Sequence, residues 1–424
     1  MFDRQCLLFY FIGFGILSAV CSADPASKGM DVAEIKLAVE ITNRLGVNVF
    51  NRIPASGGNV CISPFSLQQA AGVLFAASAN ETRKELTNAC GYPNDMLRVG
   101  NSFKALSMVL DVSLDRSKRR AEESDRSDAL LHHDVTIFGQ AGWTVNEHFR
   151  EFITESYSAN IKMLDFFGNP KGAWDQVDRQ SSSAESGNAR DDARKARLFD
   201  AGLRTGVVIK SGLRLNMCWA QGFDKMNTMA AKFSVDKNRS VDVKMMSALL
   251  RCKYKQKAGY AIVAIPLIGG EFQFTLLLPD SIDGAESSRM GVVETMLQES
   301  TKLSNGIVKV RIPRFKVDAD GVNLIPLFQS LGVKSVFDSA AGADLSEMLQ
   351  TVDGAKVYVT ALRHSASISL DEAGVEGKSE TVIDLSVGGL GALPEIRADH
   401  PFVFAIQHIS SGACLFLGRV VNPK

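Results

Sequence analysis

From Asp31 onward apolar side chains recur at helical spacing, at Val32, Ile35, Val39 and further on Leu45, which predicts an amphipathic helix weakened by Gly46. Ser63-Pro64 places a capping hydroxyl and a φ-restricted proline at the head of a second helix, running to about Ala77. A third is predicted from Asn80 to a stop at Gly91. The periodicity then lapses. Asp111 to Leu130, DVSLDRSKRRAEESDRSDAL, is charged and reads as a solvated surface loop, and Ser181 to Arg197 reads the same way. Strand signals follow at Gly259 to Pro266 (GYAIVAIP), Glu271 to Leu278 (EFQFTLLL) and Gly306 to Val317. In the last, Val308, Val310 and Ile312 alternate with Lys309 and Arg311, giving one buried and one wet face. A short helix is predicted from Ile325 to Leu331, with Pro326 tolerated in its first turn. Strands return near Val357 and Ser367. Helices first and strands later, with no strand–helix–strand rhythm and no fixed-period repeat, argue an α+β fold.

Lys and Arg number 47 and so do Asp and Glu, so the formal net charge is zero. No basic field exists to hold nucleic acid or an anionic membrane. At the N-terminus Arg4 precedes an apolar run from Cys6 to Val20, and small residues (Ser18, Ala19, Cys21, Ser22, Ala23) lead up to Asp24. This predicts a secretory signal peptide at 1–23, cut after Ala23, and a secreted mature chain of one domain at 24–424. The run is short for a bilayer span, and an uncleaved anchor is the weaker reading. The remaining cysteines, Cys61, Cys90, Cys218, Cys252 and Cys414, are odd in number and widely spaced, against a disulfide framework or a zinc site. Cys61 and Cys414 sit in apolar runs as small core hydrophobes. Asn80-Glu81-Thr82 and Asn238-Arg239-Ser240 are glycosylation sequons, making Asn80 and Asn238 candidates in a secretory compartment.

Catalytic motifs are missing. None of the six histidines stands in an HExxH pattern and no serine in GxSxG. Gly377-Lys378-Ser379 imitates the end of a phosphate loop, but Glu372 stands where its first glycine belongs. His132 and His133, if on a strand, point to opposite faces and make a poor metal pair. Arg116, Lys118, Arg119 and Arg120 suggest at most weak contact with a polyanion, since Asp115, Glu122, Glu123 and Asp125 cancel much of their field. No enzyme, metal or cofactor is expected.

Near the C-terminus stands IRADHPFVFAIQHISSGACLFLGRVVNP, Ile396 to Pro423. In the same order along the chain come Asn59 to Gln68 (NVCISPFSLQ), Ala264 to Pro279 (AIPLIGGEFQFTLLLP), Val310 to Phe315 (VRIPRF), Leu331-Gly332-Val333 with Phe337, and His364 to Gly374 (HSASISLDEAG). This collinear set resembles the serpins, the serine protease inhibitor superfamily. The resemblance implies a monomeric single-domain α+β fold with three β-sheets, about eight or nine helices and an exposed reactive-centre loop at about 374–398. It implies a suicide substrate: a protease cleaves the loop, which inserts as a new strand into the central sheet and drags the acyl-enzyme with it. By the same resemblance Ser63, Ser66 and His364 belong to the region that opens, Trp219 lies near the point of insertion, and Glu372 and Arg314 pair at the base of the loop. The family's asparagine in the opening region is Ser211 here, and GLRLNMCW departs from the family's pattern before Trp219.

The hinge residues by this resemblance are Glu372, Gly374, Val375, Glu376, Gly377, Lys378, Ser379, Glu380 and Thr381. Alternate residues from Val375 (Gly377, Ser379, Thr381, Ile383, Leu385, Val387) carry no charge, whereas Glu376, Lys378, Glu380 and Asp384 charge the other face. That is a half-buried strand pattern written into a loop. Gly377-Lys378-Ser379-Glu380 replaces the alanine-rich run of inhibitory members, and Gly377 weakens the strand. Family spacing from Glu372 puts the specificity residue at Gly388, and counting back from Pro401 allows Leu390. Val387, Gly388, Gly389 and Leu390 include no Arg or Lys, which disfavours a trypsin-like target and leaves elastase-like, subtilisin-like or chymotrypsin-like enzymes. A carrier, chaperone-like or binding serpin, or an inhibitor of a cysteine protease, are the alternatives.

Overall fold

The computed structural model describes residues 31–54, 58–126, 129–179, 206–282, 291–300, 302–338, 342–351, 357–375 and 393–424. Helices and strands are numbered along the chain. Helix α1 (Val32–Phe50) starts at Asp31, whose carboxylate accepts from the Ala33 amide. It runs on through Gly46, because a Cβ there would lie 2.5 Å from the ring of Pro64. The glycine that weakens the helix therefore lets it pack on the next one. In α2 (Pro64–Ala77) the Ser63 hydroxyl caps the Ser66 amide, and all residues of the helix are buried. Helix α3 (Asn80–Cys90) ends at Gly91, which adopts the left-handed conformation at φ 68°.

The largest departure from expectation is α4, Met96–Glu123, 28 residues long. It runs through most of the stretch expected as a loop. Its buried stripe there is Leu110, Ser113, Leu114, Ser117 and Ala121, a helical period built partly from small residues that hydropathy does not register. Arg116, Lys118, Arg119 and Arg120 thus project from a helix, and Arg116, Lys118 and Arg120 are ion-paired with Glu271, Asp115 and Glu123. Four more helices follow among the described residues: α5 (Glu147–Tyr157), α6 (Pro170–Arg179), α7 (Val292–Glu299) and α8 (Ile325–Ser330).

The described strands form three sheets. The six-stranded one takes the order β11 (Phe315–Asn323), β13 (Val359–Leu370), β14 (Gly374–Val375), β5 (Val207–Cys218), β2 (Leu130–Gln140), β4 (Asn160–Leu164). Strands β13 and β5 also pair directly, in parallel. The nine-stranded sheet takes the order β1 (Val60–Ile62), β17 (Cys414–Val420), β16 (Phe402–His408), β9 (Phe272–Pro279), β8 (Tyr260–Pro266), β7 (Ser240–Lys257), β10 (Ser304–Pro313), β15 (Glu395–Arg397), with β6 (Met229–Ser234) also on β7. A two-stranded ribbon joins β3 (Thr144–Val145) to β12 (Leu349–Gln350). The single strand expected over Gly306 to Val317 is in fact two, β10 and β11, in different sheets, broken at Arg314. Pro313 explains the break, since it cannot donate to a ladder.

The main hydrophobic core lies between the two large sheets and most of the helices, with α2 at its centre touching β5 and β17, while a second, smaller cluster packs Ala173, Trp174 and Val177 of α6 against Phe138, Val208 and Ala361 of the six-stranded sheet. Cys61, Cys90, Cys218, Cys252 and Cys414 are buried free thiols. Among the described residues no helix is long and apolar enough to cross a membrane.

Candidate functional site at the opening seam of the central sheet

The six-stranded sheet has a seam between β5 and β13. Along its lower part the two strands are hydrogen-bonded neighbours, from Val359 against Val207 to Ala366 against Leu213. Above that they part, and Gly374 and Val375 sit between them: Val375 pairs antiparallel with Leu370 on one side and Met217 on the other, and Gly374 with Cys218. The chain gets there by a tight reversal. The Asp371 carboxylate accepts from the Ala373 amide (2.8 Å) and the Gly374 amide (3.3 Å), and the Asp371 amide donates to the Gly374 carbonyl (3.1 Å). Such an Asx turn is what an aspartate two residues before the bend can build. Gly374 is required by close approach, since a Cβ there would lie 2.3 Å from the Met217 carbonyl oxygen.

Around this wedge the resemblance-derived residues converge. Trp219 is fully buried; its indole N–H donates to the Asp371 carbonyl (2.9 Å) and its amide to the Ala373 carbonyl (3.0 Å). Phe223 and Phe274 meet its ring edge-on. Glu372, 4% exposed, accepts from Arg314 Nε (2.7 Å) and Thr228 Oγ1 (2.5 Å). Burial pushes this carboxyl up, yet the bonds from Arg314 and Thr228 outweigh it and hold it below the usual carboxylate range. The break between β10 and β11 leaves Arg314 free to reach Glu372. Sequence reading missed Asp371, Thr228 and Arg126, whose guanidinium donates to the Trp219 carbonyl at 2.6 Å. Only the Asp-x-Ala-Gly turn pattern offered a signal, at Asp371.

Lower in the seam lies a second cluster, on the face toward α2. The Ser63 amide donates to His364 Nε2 at 2.9 Å, so that nitrogen is the acceptor and the neutral ring carries its proton on Nδ1. Nδ1 faces Ser211 Oγ at 3.4 Å, a long contact that the short serine side chain cannot close. Burial drives His364 down to about 3. Ser66 is buried one turn into α2, its amide bound to Ser63 Oγ. On β2 the two adjacent histidines do face opposite ways. His132 is exposed, while His133 packs edge-on against Phe65 and meets Gln69 at 3.2 Å.

Asn80 is exposed at the start of α3, its amide bonded to Asp344 (2.8 Å), and Asn238 is exposed on the turn between β6 and β7. Glu376, Gly377, Lys378, Ser379, Glu380 and Thr381, and the reactive-site stretch Val387, Gly388, Gly389 and Leu390, lie outside the described residues, as does the segment 1–23. No group of three or more His, Cys, Asp or Glu among the described residues is placed to hold a metal ion.

The comparisons with known proteins agree with this arrangement. Iripin-4 from Ixodes ricinus is 27% identical over 384 residues, 89% of this chain and 93% of its own length. Leukocyte elastase inhibitor A from Rattus norvegicus is 26% identical, covering 86% of this chain and 93% of its own. Among solved structures, human thyroxine-binding globulin complexed with thyroxine superposes with a TM-score of 0.73 at 18% identity, over 92% of this chain and 100% of its own. The family model described as Serpin (serine protease inhibitor) matches residues 40–423, and with the seam, its wedge and its two polar clusters in place, the chain belongs to the serpin family.

Proposed function

We propose that this serpin is a secreted inhibitor of serine proteases that traps its target covalently by inserting its cleaved loop into the seam between β5 and β13. The observation that carries the reading is the position of Gly374 and Val375, hydrogen-bonded to both strands at the seam's upper end. In the inserted form, continuing this register seven places would bring Val382 level with Lys210 and Arg363, and six places would bring Thr381 between Ser211 and His364. A threonine hydroxyl there could bond the imidazole that Ser211 reaches only at 3.4 Å. The alternation of the loop sequence fits: its uncharged face would join Val375 on the α2 side, and Glu376, Lys378, Glu380 and Asp384 would face the other way.

Cleavage falls between Val387 and Leu390 in this reading, by an elastase-like, subtilisin-like or chymotrypsin-like enzyme, because none of those residues offers a cation to an acidic pocket. The name of the rat relative, leukocyte elastase inhibitor A, points the same way. The long Ser211–His364 contact favours a second reading, a carrier or binding serpin, and the name of thyroxine-binding globulin points to binding. Incubation with a panel of the three protease types separates them. A complex that survives SDS, with cleaved protein melting far above the intact form, is expected. Nicking throughout the panel, without complex or gain in melting temperature, would leave the second reading.

A further inference from the structure

On the face of the central sheet away from α2, the seam carries an unusual pair. Lys210 of β5 and Arg363 of β13 are direct register partners across it, and both are buried, at 6% and 8% exposure. Parallel neighbours sit about 4.8 Å apart, and like charges directly opposite each other oppose strand pairing. Burial strengthens that repulsion, because less water screens it. Apolar side chains would pack this position at lower cost.

Part of what offsets the repulsion is the last turn of α6, lying over the seam, beside Asp134 of β2, a carboxylate within coulombic reach of Lys210. The Lys210 ammonium donates to the Val177 carbonyl at 2.9 Å, one of the last four carbonyls of the helix and part of its negative end. The Arg363 guanidinium donates to Asp178 Oδ1 at 3.2 Å and stacks on Trp174, 4.9 Å from the ring centroid. One helix end thus binds cations of both strands at once.

We propose that Lys210, Arg363 and the α6 end around Asp178 form an electrostatic latch that sets how readily the seam opens. With α6 seated the two cations are compensated and the strands stay paired. With α6 lifted they lose the Val177 carbonyl, Asp178 and Trp174, their repulsion grows, and parting the strands to about twice their spacing relieves it. Departure of the helix and opening of the seam are therefore one cooperative event. Lys210 and Arg363 act as positioning residues for insertion, and this role rests on the insertion reading above only in supposing what the opened seam receives.

The test is native-state hydrogen exchange of the β5 and β13 amides in the intact protein, which reads seam opening without any protease. Lys210→Gln keeps a donor for the Val177 carbonyl and removes the charge. It should slow exchange of the seam amides roughly tenfold, whereas Asp178→Asn should speed it roughly tenfold, within the range of coupling between contacting groups. In the double variant the effect of Asp178→Asn should shrink severalfold. A merely structural role predicts the reverse for Lys210→Gln, since any loss of packing loosens the seam. Faster exchange in Lys210→Gln, no change in either variant, or additive acceleration in the double would overturn the latch. Lys210→Met serves the same purpose if the glutamine variant does not fold. The protease panel is scored separately. The expected exchange pattern without any SDS-stable complex upholds the latch and defeats the inhibitory reading. A complex without that pattern does the opposite.

Discussion

Acidifying the intact protein from pH 7.5 to 5.5 should remove several kcal/mol of its stability, and the reason lies in three buried rings. His364 is held neutral by burial, at about 3. Burial, helped by His132, brings His133 to about 4, and burial, helped by Arg116, does the same for His408. In the unfolded chain each would titrate near 6.5. Below that pH the unfolded state binds protons that the folded state refuses, so the stability present above about 6.5 is lost as pH falls. Each ring contributes about 1.4 kcal/mol per pH unit below its unfolded value, or roughly 4 kcal/mol for the three at pH 5.5. That is a large share of the roughly 5–15 kcal/mol that holds a typical domain together. Three groups among the described residues oppose it. His400 is lowered by burial, but its bonds to Asp399 and the Pro279 carbonyl outweigh that and raise it. Asp134 is raised by burial, and Asp111 by burial and the charge of Asp115. All three take up a proton more readily in the folded chain and return part of the loss. The assay is the urea midpoint at both pH values and equal ionic strength, for wild type and His133→Gln. The variant should lose about a third of the histidine-driven pH dependence. A wild-type midpoint that is flat or rises on acidification, or a variant with the full wild-type slope, would refute the reasoning.

Three further outcomes follow from the geometry at the seam. Gly374→Val forces a Cβ to within 2.3 Å of the Met217 carbonyl, so the wedge should be expelled and any SDS-stable complex lost in favour of nicked protein; inhibition at wild-type stoichiometry would exclude this role for Gly374. Ser211→Asn gives His364 Nδ1 a partner within normal hydrogen-bond reach in place of the 3.4 Å contact, and should raise the urea midpoint by the equivalent of about 1 kcal/mol. A lowered midpoint would count against that account. Glu372→Gln breaks the ion pair with Arg314 and should cost about 2 kcal/mol at pH 7. Because the Glu372 carboxyl is depressed when folded, that cost should be full above the ordinary carboxylate range and fade as pH falls from there through its folded value, and a cost independent of pH would assign it to packing instead.

Local chemistry was enough for much of this molecule. Ser63-Pro64 announces α2, Gly91 ends α3, apolar runs mark strands at 260–266 and 272–279, and alternation marks the one at 304–313, because caps and faces are decided by a residue and its near neighbours. The paired Arg314 and Glu372, and Ser63 and His364, came into view only through the resemblance of separated motifs, since they lie 58 and 301 residues apart. Tertiary structure decided the rest. Residues 96–123 form one helix because Ser113, Ser117 and Ala121 fit close against neighbouring elements, and small side chains earn no hydropathy signal. Residues 304–323 divide between two sheets because Pro313 ends one ladder and Arg314 turns aside to Glu372. Nothing in the sequence marks Lys210 and Arg363 as a pair. Burying them side by side is made tolerable in large part by α6, which brings a carbonyl, a carboxylate and an indole to the same point although Val177 stands 33 residues from Lys210 in the chain. Such compensation is a property of the assembled layers, and no window along the sequence contains it.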